Sequence, residues 1–453
     1  MKKHILTTSA LVLAMASAGA FAKVSTQEAA KLGKELTPVG AIAAGNKAGT
    51  IPAYTGGLAA DTSADPFNNA TSKKFIAEAP LFTITAKNLD QYKANLTDGQ
   101  IAMFNKYPDT YVMPVYKTVR TAVFPQEIQA KAKKNAANTE LVAGGNGLKN
   151  FDETMPFVIP KSGLEVIWNH ITRFKGGSVE RNAAQLNVQV NGSYVAVKLN
   201  ALLSPPQYLA DGYDAKKDSN VLFYFMQQIK EPARLSGNVL LVHETIDQVK
   251  QPRLAWSYNA GQRRVRRAPQ VAYDAPAQAS GGLRTSDQID MYNGAPDKYN
   301  WKLVAKKELY IPYNAYKIND ESVKYSEFVK AGHIDQSYAR YELHRVWQVE
   351  GTLKDGERHV YGKRTFYINE DSWQIAIADH YDSRGNLWRL AEAHPLQFVN
   401  ANTPWYGAQF SYDLQSGRYV AEVNNEEEYS FVFGNKIKHK NFTASALRRQ
   451  GIK

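Results

Sequence analysis

Residues 341–394 read YELHRVWQVEGTLKDGERHVYGKRTFYINEDSWQIAIADHYDSRGNLWRLAEAH, and this stretch decides the fold class. It contains four runs in which apolar and polar residues alternate, separated by the turn-forming segments KDGE, NED and SRGN. Alternation with a period of two is typical of β-strands, so the stretch predicts a four-stranded antiparallel meander of long strands.

The alternation also assigns side chains to faces of the predicted sheet. One face would be apolar and would carry Tyr341, Leu343, Trp347, Val349 and Leu353, as well as Trp373, Ile375 and Ile377 further along. The other face would be wet, because it would carry Glu342, His344, Gln348 and Glu350. We therefore expect one buried and one solvent-facing surface.

Hairpins continue upstream, from about Arg181. Asn191-Gly192 lies between the alternating runs LNVQV and SYVAVKL, which is a strong signal for a two-residue hairpin turn. NVLLVHETID and PRLAWSYN follow as further predicted strands. The hairpins and the meander together predict a large antiparallel sheet.

Helices are predicted ahead of the hairpins. Residues 23–110 are rich in turn formers and predict an extended, wrapping N-terminal region with short helices at 26–36 and 86–107. A helix is expected over 126–141, and Ser162 is a candidate N-cap for GLEVIWNHITRF, where Leu164, Ile167, Trp168 and Ile171 share a face.

The fold class predicted from these elements is mainly β with helices (α+β). We expect a large curved antiparallel sheet, an incomplete β-barrel, over residues 111–453, with helices covering its concave side and the N-terminal region as part of the same domain. An outer-membrane barrel also has long alternating strands. The predicted helices and the Pro/Gly-rich N-terminal region argue against it.

The first residues predict export. Lys2 and Lys3 precede an apolar stretch, and Ala20-Phe21-Ala22 resembles a signal-peptidase site, so residues 1–22 are expected to be a signal peptide cleaved after Ala22. The chain has no cysteine and a formal net charge of +12, which favours anionic partners. We expect a periplasmic monomer in transient contact with a membrane surface, and no nucleic-acid partner.

Residues 256–269, WSYNAGQRRVRRAP, place Arg263, Arg264, Arg266 and Arg267 in one strand-length segment. In a strand, Arg264 and Arg266 would face away from Arg263, Val265 and Arg267, so neither face would be a sealed apolar core. The segment is either an edge strand whose arginines pair with acids such as Glu350, Asp379 or Asp382, or a cluster that binds an anionic headgroup at a cavity mouth.

Aromatic side chains supply candidates for the apolar part of a binding site: Trp256, Tyr258, Trp347, Phe366, Trp373 and Trp388. Each of them would equally serve as core. Established catalytic motifs and thiol nucleophiles are absent from the sequence, and no cofactor is predicted. Asp379, His380 and Asp382 would offer acid–base groups, and His359, His380 and His394 would hold a metal if the fold brought them together, although satisfied sheet histidines are the default interpretation.

Six sequence blocks resemble the exported bacterial family known as domain of unknown function 1329. They are residues 36–58, 107–126, 159–170, 256–269, 302–316 and 341–373. The resemblance implies a fold like that of the outer-membrane lipoprotein carriers LolA and LolB, with a cavity for acyl chains, and a role beside an RND-type exporter. It implies no site residues, and the cysteine that anchors the LolB type is absent.

The sequence thus predicts a non-catalytic periplasmic carrier or binding protein for a lipid or other amphiphile. Two alternatives stay open: a periplasmic hydrolase or glycan-modifying enzyme that uses the Asp379 region, and an envelope scaffold that binds no small ligand.

Overall fold

The structure is a computed structural model, and it describes residues 24–268, 273–424 and 431–451. The predicted signal peptide lies outside these ranges. The strands are β1 Phe82–Ile84, β2 Met113–Val115, β3 Glu140–Leu141, β4 Leu148–Lys149, β5 Val179–Val188, β6 Tyr194–Ser204, β7 Val221–Glu231, β8 Val239–Thr245, β9 Leu254–Asn259, β10 Arg264–Arg267, β11 Tyr299–Pro312, β12 Tyr341–Leu353, β13 Lys363–Asn369, β14 Ile375–Tyr381, β15 Leu387–Phe398, β16 Thr403–Asp413, β17 Tyr419–Val423 and β18 Phe431–Phe433.

The α-helices are α1 Thr26–Ala29, α2 Ala70–Ala77, α3 Asp98–Lys106, α4 Gln126–Asn138, α5 Gly163–Thr172, α6 Ala215–Asp218, α7 Tyr325–Phe328 and α8 Ala444–Gly451. Short 3₁₀ turns, such as Leu89–Gln91 and Lys93–Asn95, connect several elements. In the described part of the chain, no helix is both long and apolar enough to cross a membrane.

Apart from the short β3–β4 pair, the described strands form one sheet. Its order is β1-β2-β12-β13-β14-β15-β16-β17-β5-β6-β7-β8-β9-β10, with β11 also paired to β12 and β18 to β5. The pairings are antiparallel except for a short parallel contact between β2 and β12. The terminal strands β1 and β10 are not partners in this order, so the sheet is not closed into a barrel.

The predicted meander is confirmed. Strand β12 has the predicted bounds, and the up-and-down path continues beyond β15 into β16 and β17. The SRGN turn forms because the Asp382 carboxylate accepts hydrogen bonds from the backbone N–H groups of Arg384 and Asn386, both at 2.9 Å. The Asn191-Gly192 hairpin is also confirmed, with Gly192 at φ 84° between β5 and β6.

Each face of the sheet carries its own hydrophobic core. We call them the α5 face and the α3 face, after the helices that pack on them. The α5 face holds Val166, Ile167 and Trp168 of α5 together with sheet residues such as Phe366. The α3 face holds Met103 and Phe104 of α3 with sheet residues that include Tyr367, Leu390 and Phe410.

The expectation of a wet face on β12 was wrong at the start of the strand, whereas Gln348 and Glu350 further along are partly exposed. Glu342 and His344 are buried, because residues 113–120 and the segment before β12 cover them. Glu342 accepts hydrogen bonds from Arg340 Nε at 2.7 Å, Val119 N at 2.8 Å and Asn314 Nδ2 at 2.9 Å. The alternating pattern correctly predicted that this face carries polar side chains. The covering segments, rather than water, provide their hydrogen-bond partners.

The face assigned to Trp373, Ile375 and Ile377 also needs correction. Trp373 lies in the β13–β14 turn at φ 57°, and a register shift follows between β13 and β14. As a result Trp373 and Ile375 belong to the core of the α5 face, whereas Ile377 belongs to the core of the α3 face.

The predicted helices have different lengths from those expected. Helix α1 ends at Ala29, and the helix predicted over 86–107 is replaced by two 3₁₀ turns followed by α3, which Thr97 caps. Helix α4 ends at Asn138. Ser162 does cap α5, but α5 is buried on nearly all sides rather than on one, so it is a core helix.

The hairpins β6–β9 are covered differently from the meander. Helix α8 packs on their α3 face and buries Leu202, Met226, Leu241 and Tyr258 with Leu447. Their α5 face carries a small separate cluster with only four fully buried members, Ala201, Phe225, Val242 and Ala255. This second face borders the candidate site.

Candidate ligand-binding site

A cavity lies on the α5 face of the hairpins, at the end of α5. Its apolar wall consists of Ile171, Val179, Ala201, Leu203, Phe223, Phe225, Val242, Ile289 and Trp405. The polar and aromatic lining consists of Lys175, Arg181, Arg253, Asp290, Tyr292, Asn293 and Tyr406. The sheet residues of this wall are mostly buried, because side chains of α5, such as Ile171, and of residues 289–293 also line the cavity.

The register of the sheet builds this wall. Val242 of β8 pairs with Phe225 of β7, Phe225 pairs with Leu203 of β6, and Leu203 pairs with Val179 of β5. Directly paired residues project from the same face, so one apolar row crosses four adjacent strands. Arg181 lies two residues after Val179 on β5 and projects from the same face, so a cation borders the β5 end of the row.

The cavity is narrow in this conformation. The free space at its centre measures about 50 Å³, and about 690 Å³ is free when the open region around it is included. The central volume suits a few water molecules, whereas pockets for drug-sized ligands measure roughly 300–1,000 Å³. An acyl chain would enter only if the wall and the segment above it moved apart.

That segment comprises residues 273–298, which we call the cover segment. It lies on the α5 face of the sheet and is held by polar contacts. Asp287 pairs with Arg364 at 2.8 Å and with His359 at 3.2 Å, and Arg284 pairs with Glu422 at 2.9 Å. Residues 289–293 of the cover segment border the cavity.

Charged groups converge on one side of the cavity. Asp290 accepts a hydrogen bond from Arg173 at 2.6 Å and lies 3.6 Å from the Lys175 ammonium. The neighbouring Arg173 and Lys175 charges hold the pKa of Asp290 well below its ordinary value against the effect of burial. Burial, followed by the Arg173 charge, lowers the pKa of Lys175 to about 7.

Two further arginines line the cavity. Arg181 donates to Glu422 at 2.5 Å, and Arg253 donates to Glu244 at 2.7 Å. Burial raises the pKa of Glu422, but the Arg181 and Arg284 charges outweigh it and bring that pKa to about 2. The carboxylate is therefore ionised at neutral pH.

The arginine segment lies at the edge of the sheet, as one of the two interpretations predicted. Strand β10 pairs only with β9, and Arg263 precedes it in a turn at φ 53°. All four guanidinium groups are exposed. The predicted ion pairs are not formed: Glu350 pairs with Lys363, Asp379 is buried, and Asp382 stabilises its own turn.

Register relates part of this segment to the cavity. Arg266 pairs with Ser257, and Ser257 pairs with Leu240, which belongs to the cluster on the α5 face. Arg264 and Arg266 therefore share the cavity's face, at its outer edge, while Val265 packs in the core beneath α8. None of the four arginines lines the cavity.

The predicted aromatic residues do not line the cavity either. Trp256 and Tyr258 pack in the core beneath α8, on the opposite face. Phe366 and Trp373 are completely buried, and Trp347 stacks on Trp373 at 6.2 Å. Trp388, half-buried, donates to Asp413 at 3.0 Å and lies 4.2 Å from the Arg389 guanidinium. Five of the six belong to or pack against the hydrophobic clusters of the described residues, whereas Trp388 lies outside those clusters.

The residues considered for acid–base catalysis are separated. Asp379 projects toward Thr97 and Gly99 of the α3 face, whereas His380 contacts Gln288 of the cover segment on the α5 face. Asp382 lies in an exposed turn. Adjacent residues of a strand face opposite sides, so Asp379 and His380 cannot act on one substrate atom.

The histidines are separated in the same way. His359 and His380 both contact Tyr361, with ring centroids 5.4 Å and 4.6 Å away. His394 lies on the α3 face, beside Phe410 and Glu392. In residues 24–268, 273–424 and 431–451, no group of three metal-ligating side chains converges.

The cavity residues were missed by sequence reasoning, although a signal was present. The run VLFYFMQQI, residues 221–229, is a strand whose neighbours on both sides are predicted strands, which indicates a central position in the sheet. Arg181 begins a neutral and apolar run in β5, and Arg253 directly precedes the uncharged strand β9. A single cation at such a position would need a buried partner.

The fold and cavity define a class: an open, mainly antiparallel sheet with helices on both faces and an apolar, cation-lined cavity on one of them. The chain belongs to the family described as Protein of unknown function (DUF1329), whose family model matches residues 83–448. It is also 57% identical over 452 residues to the uncharacterized protein PA3922 of Pseudomonas aeruginosa, covering 100% of this chain and 99% of that protein. The resemblance read from the six sequence blocks is confirmed.

Three solved structures are similar to parts of this chain at low sequence identity. A putative outer membrane lipoprotein-sorting protein domain from Vibrio parahaemolyticus has a TM-score of 0.44 at 12% identity, covering 63% of this chain and 98% of that one. A DUF1329 family protein from Desulfovibrio piger has 0.42 at 14%, covering 60% and 91%. A LolA superfamily protein from Nitrosomonas europaea has 0.38 at 13%, covering 63% and 98%.

Proposed function

We propose that this protein is a non-catalytic binding or carrier protein for a hydrophobic or amphiphilic molecule. The observation that carries the proposal is the apolar row across β5–β8, which borders free space on a face that is otherwise covered. The space in front of the row leaves apolar side chains without packing partners, and an apolar ligand would supply them.

Because the cavity is narrow, a ligand would enter only after part of the cover segment moved. The cluster on its wall is small. The cover segment is held by ion pairs and, through Met291 and Tyr292, by the core of the α5 face. Lifting residues 289–293 from the wall would join the central space to the larger open region. Binding would then couple ligand entry to movement of the cover segment.

The proposed place of action is the periplasm, at a membrane surface, as a monomer working beside an envelope exporter. The signal-peptide pattern supports export, and the basic edge supports the membrane contact. Residues 248–268 and 431–451 contain no Asp or Glu. Helix α8 packs against β8, β9 and β10, so the exposed Arg448 and Arg449 join the β10 arginines on one basic edge.

The enzyme alternative loses the site that was considered for it, because Asp379, His380 and Asp382 do not meet. The scaffold alternative has a clear signature of its own. A scaffold would bind its protein partner while no amphiphile entered the cavity.

A cavity-filling variant tests the proposal. Dodecanoate and dodecan-1-ol would be titrated into the protein and followed by calorimetry and native mass spectrometry. We expect one molecule of at least one of them to bind per chain, and Ala201→Phe to abolish binding, because the added ring fills the wall. Val195→Phe is the matched control: Val195 lies on the same strand and face, is 44% exposed, and does not line the cavity.

Three results would count against this function. They are no binding of either compound, binding that survives Ala201→Phe, and equal loss in both variants. Circular dichroism of each variant separates loss of the site from loss of the fold.

A further inference from the structure

The charges around the cavity do not balance. Among the residues that the structure describes, the side chains that line it include the cations Lys175, Arg181 and Arg253 and a single carboxylate, Asp290. Asp290 is shared between Arg173 and Lys175, and Glu422, behind the wall, is shared between Arg181 and Arg284. Of the nearby pairs, only Arg253 with Glu244 is one-to-one. The described residues around the cavity therefore hold an excess of positive charge.

The Arg181 guanidinium has an unused hydrogen-bond donor at the cavity wall. Its Nη2 atom donates to Glu422, but its Nη1 atom is buried and has no hydrogen-bond partner among the described residues. The guanidinium lies 5.4 Å from the ring of Tyr406 and 5.7 Å from the ring of Trp405. These rings position the group at the cavity wall and leave one donor direction unused.

Trp405 connects this arginine to the second cationic group. Its indole Nε1 donates to Asp290 Oδ1 at 3.3 Å, and Asp290 Oδ2 lies 3.6 Å from Lys175 Nζ. Lys175 also donates to the Ile171 carbonyl at 2.9 Å, and its side chain is only 11% exposed. Arg181 and Lys175 thus flank one aromatic wall of the cavity.

A buried excess of positive charge is costly unless an anion offsets it. Guanidinium and ammonium groups bind carboxylate or phosphate oxygens through charge-assisted hydrogen bonds, which are stronger where water is excluded. The same cavity offers an apolar row from Val179 to Val242 for an alkyl chain. Cationic and apolar surfaces side by side match an amphiphile with one acidic end.

We propose that the cavity binds the acidic headgroup of an amphiphile, a carboxylate or a phosphate monoester, with Arg181 and Lys175 as its cationic partners and the apolar row as the seat of its chain. This inference rests on the proposed function, because it specifies the ligand of the same cavity. It distinguishes an anionic ligand from neutral and cationic ones of equal chain length.

The test compares four twelve-carbon compounds: dodecanoate, dodecyl phosphate, dodecan-1-ol and dodecyltrimethylammonium. We expect the two anions to bind at least about tenfold more tightly than the alcohol, and the ammonium compound to bind least. The stronger of the two anions identifies the headgroup as a carboxylate or a phosphate. Equal affinity for anions and alcohol would overturn the inference and leave the carrier function standing, whereas no binding of any compound would overturn both.

Variants of Lys175 assign the effect to this site. Lys175→Met should bring dodecanoate affinity close to that of the alcohol and leave alcohol affinity unchanged, while Lys175→Arg should restore most of the preference. Lys230→Met, at an exposed lysine of β7, is the control for loss of one positive charge. A preference for anions that survives Lys175→Met and Arg181→Gln alike would place the headgroup elsewhere and contradict the assignment.

The pH dependence supplies an independent readout. The charged groups that face Lys175 are Arg173 and Asp290, and neutral His170 lies beside them. Since the pKa of Lys175 is about 7, the ligand-free lysine loses its proton as pH rises from 6 to 9. Dodecanoate affinity should fall over that range, and the Lys175→Met variant should show no such fall. Identical pH profiles for the wild type and this variant would contradict the role of Lys175.

Discussion

Strands β12–β17 are buried on both faces, whereas strands β6–β9 are buried on one face by the core beneath α8, and β6–β8 line the cavity with their other face. We call these the meander half and the hairpin half. Both halves are built from alternating strands of one continuous sheet. The difference lies in what covers each face, and it teaches that the position of a strand in the sheet does not determine whether its face becomes core or site.

The meander half buries polar groups together with apolar ones. Glu342, Arg364 and His380 are all buried there, and most are held by partners from covering segments. Such networks are costly to disturb, because a buried group that loses its partner keeps its desolvation cost. We infer that the meander half is the rigid part, against which the cover segment is held.

The largest expected contrast is between two phenylalanines. Phe366→Ala in the meander half should lower the free energy of unfolding by about 3–5 kcal/mol, because the ring is fully buried and its loss leaves an enclosed cavity. Phe225→Ala in the hairpin half should cost less than half as much, since that ring already borders free space. Urea unfolding followed by circular dichroism measures both values.

Met226 is the internal control for this contrast. It follows Phe225 on β7 but projects beneath α8, where it is 3% exposed. Met226→Ala should therefore cost more than Phe225→Ala, although it removes fewer atoms. Equal costs for Phe225→Ala and Phe366→Ala would mean that the cavity wall is packed as tightly as the core, and the comparison of the two halves would fail.

Sequence reasoning recovered much of the fold, because alternation and turn chemistry act locally. The bounds of β12, the Asn191-Gly192 hairpin and the Ser162 cap all follow from residues within a few positions of one another. The burial of Glu342 does not, since besides nearby Arg340 it depends on Val119 and Asn314, which reach it from separate segments. Neighbours that are distant in sequence decide which polar faces become interior.

The site was harder to predict for the same reason. Exposed arginines in a row are visible in the sequence, so Arg263 to Arg267 attracted attention, but an isolated cation such as Lys175 or Arg181 is not. Lys175 and Arg181 form the site only through their contacts with Asp290 and Glu422, which lie more than a hundred residues away in sequence. Aromatic residues such as Phe366 were equally compatible with core and site until their neighbours were known.

A second, smaller contrast involves two groups whose pKa values both lie near 7. Burial, followed by the nearby Asp98 charge, raises the pKa of Asp379 in the meander half to about 7. The folded state therefore holds a proton that the unfolded state has already lost above about pH 4, and stability falls as pH rises from 4 through 7. Lys175 titrates in the same range, but beside the cavity.

Asp379→Asn should consequently stabilise the protein at pH 8 by at least about 1 kcal/mol more than at pH 5, because only part of the loss of stability has occurred by pH 5. The amide that replaces the Asp379 carboxyl does not ionise. The free energy of unfolding of the variant therefore does not fall with pH on account of this residue. Urea unfolding at both pH values measures the difference, and Asp355→Asn, in an exposed turn, is the control. A wild type and an Asp379→Asn variant with the same pH dependence would show that Asp379 is not the group responsible.

The smallest expected effect on stability comes from the basic edge of the hairpin half. Replacing Arg263, Arg264, Arg266 and Arg267 by Gln should change the free energy of unfolding by no more than about 0.5 kcal/mol, because the four side chains are exposed and form no ion pair with the described residues.

The same variant should bind vesicles that contain anionic phosphatidylglycerol at least about tenfold more weakly, since each basic residue near such a surface adds to the attraction. A second variant, with Lys47, Lys73, Lys74 and Lys133 replaced by Gln, removes the same charge from exposed positions elsewhere and should keep most of the vesicle binding. Equal losses of vesicle binding in the two variants would mean that binding depends only on the net charge of the protein. A loss confined to the β10 variant would show that the edge of the hairpin half contacts the membrane, next to the face on which the cavity lies.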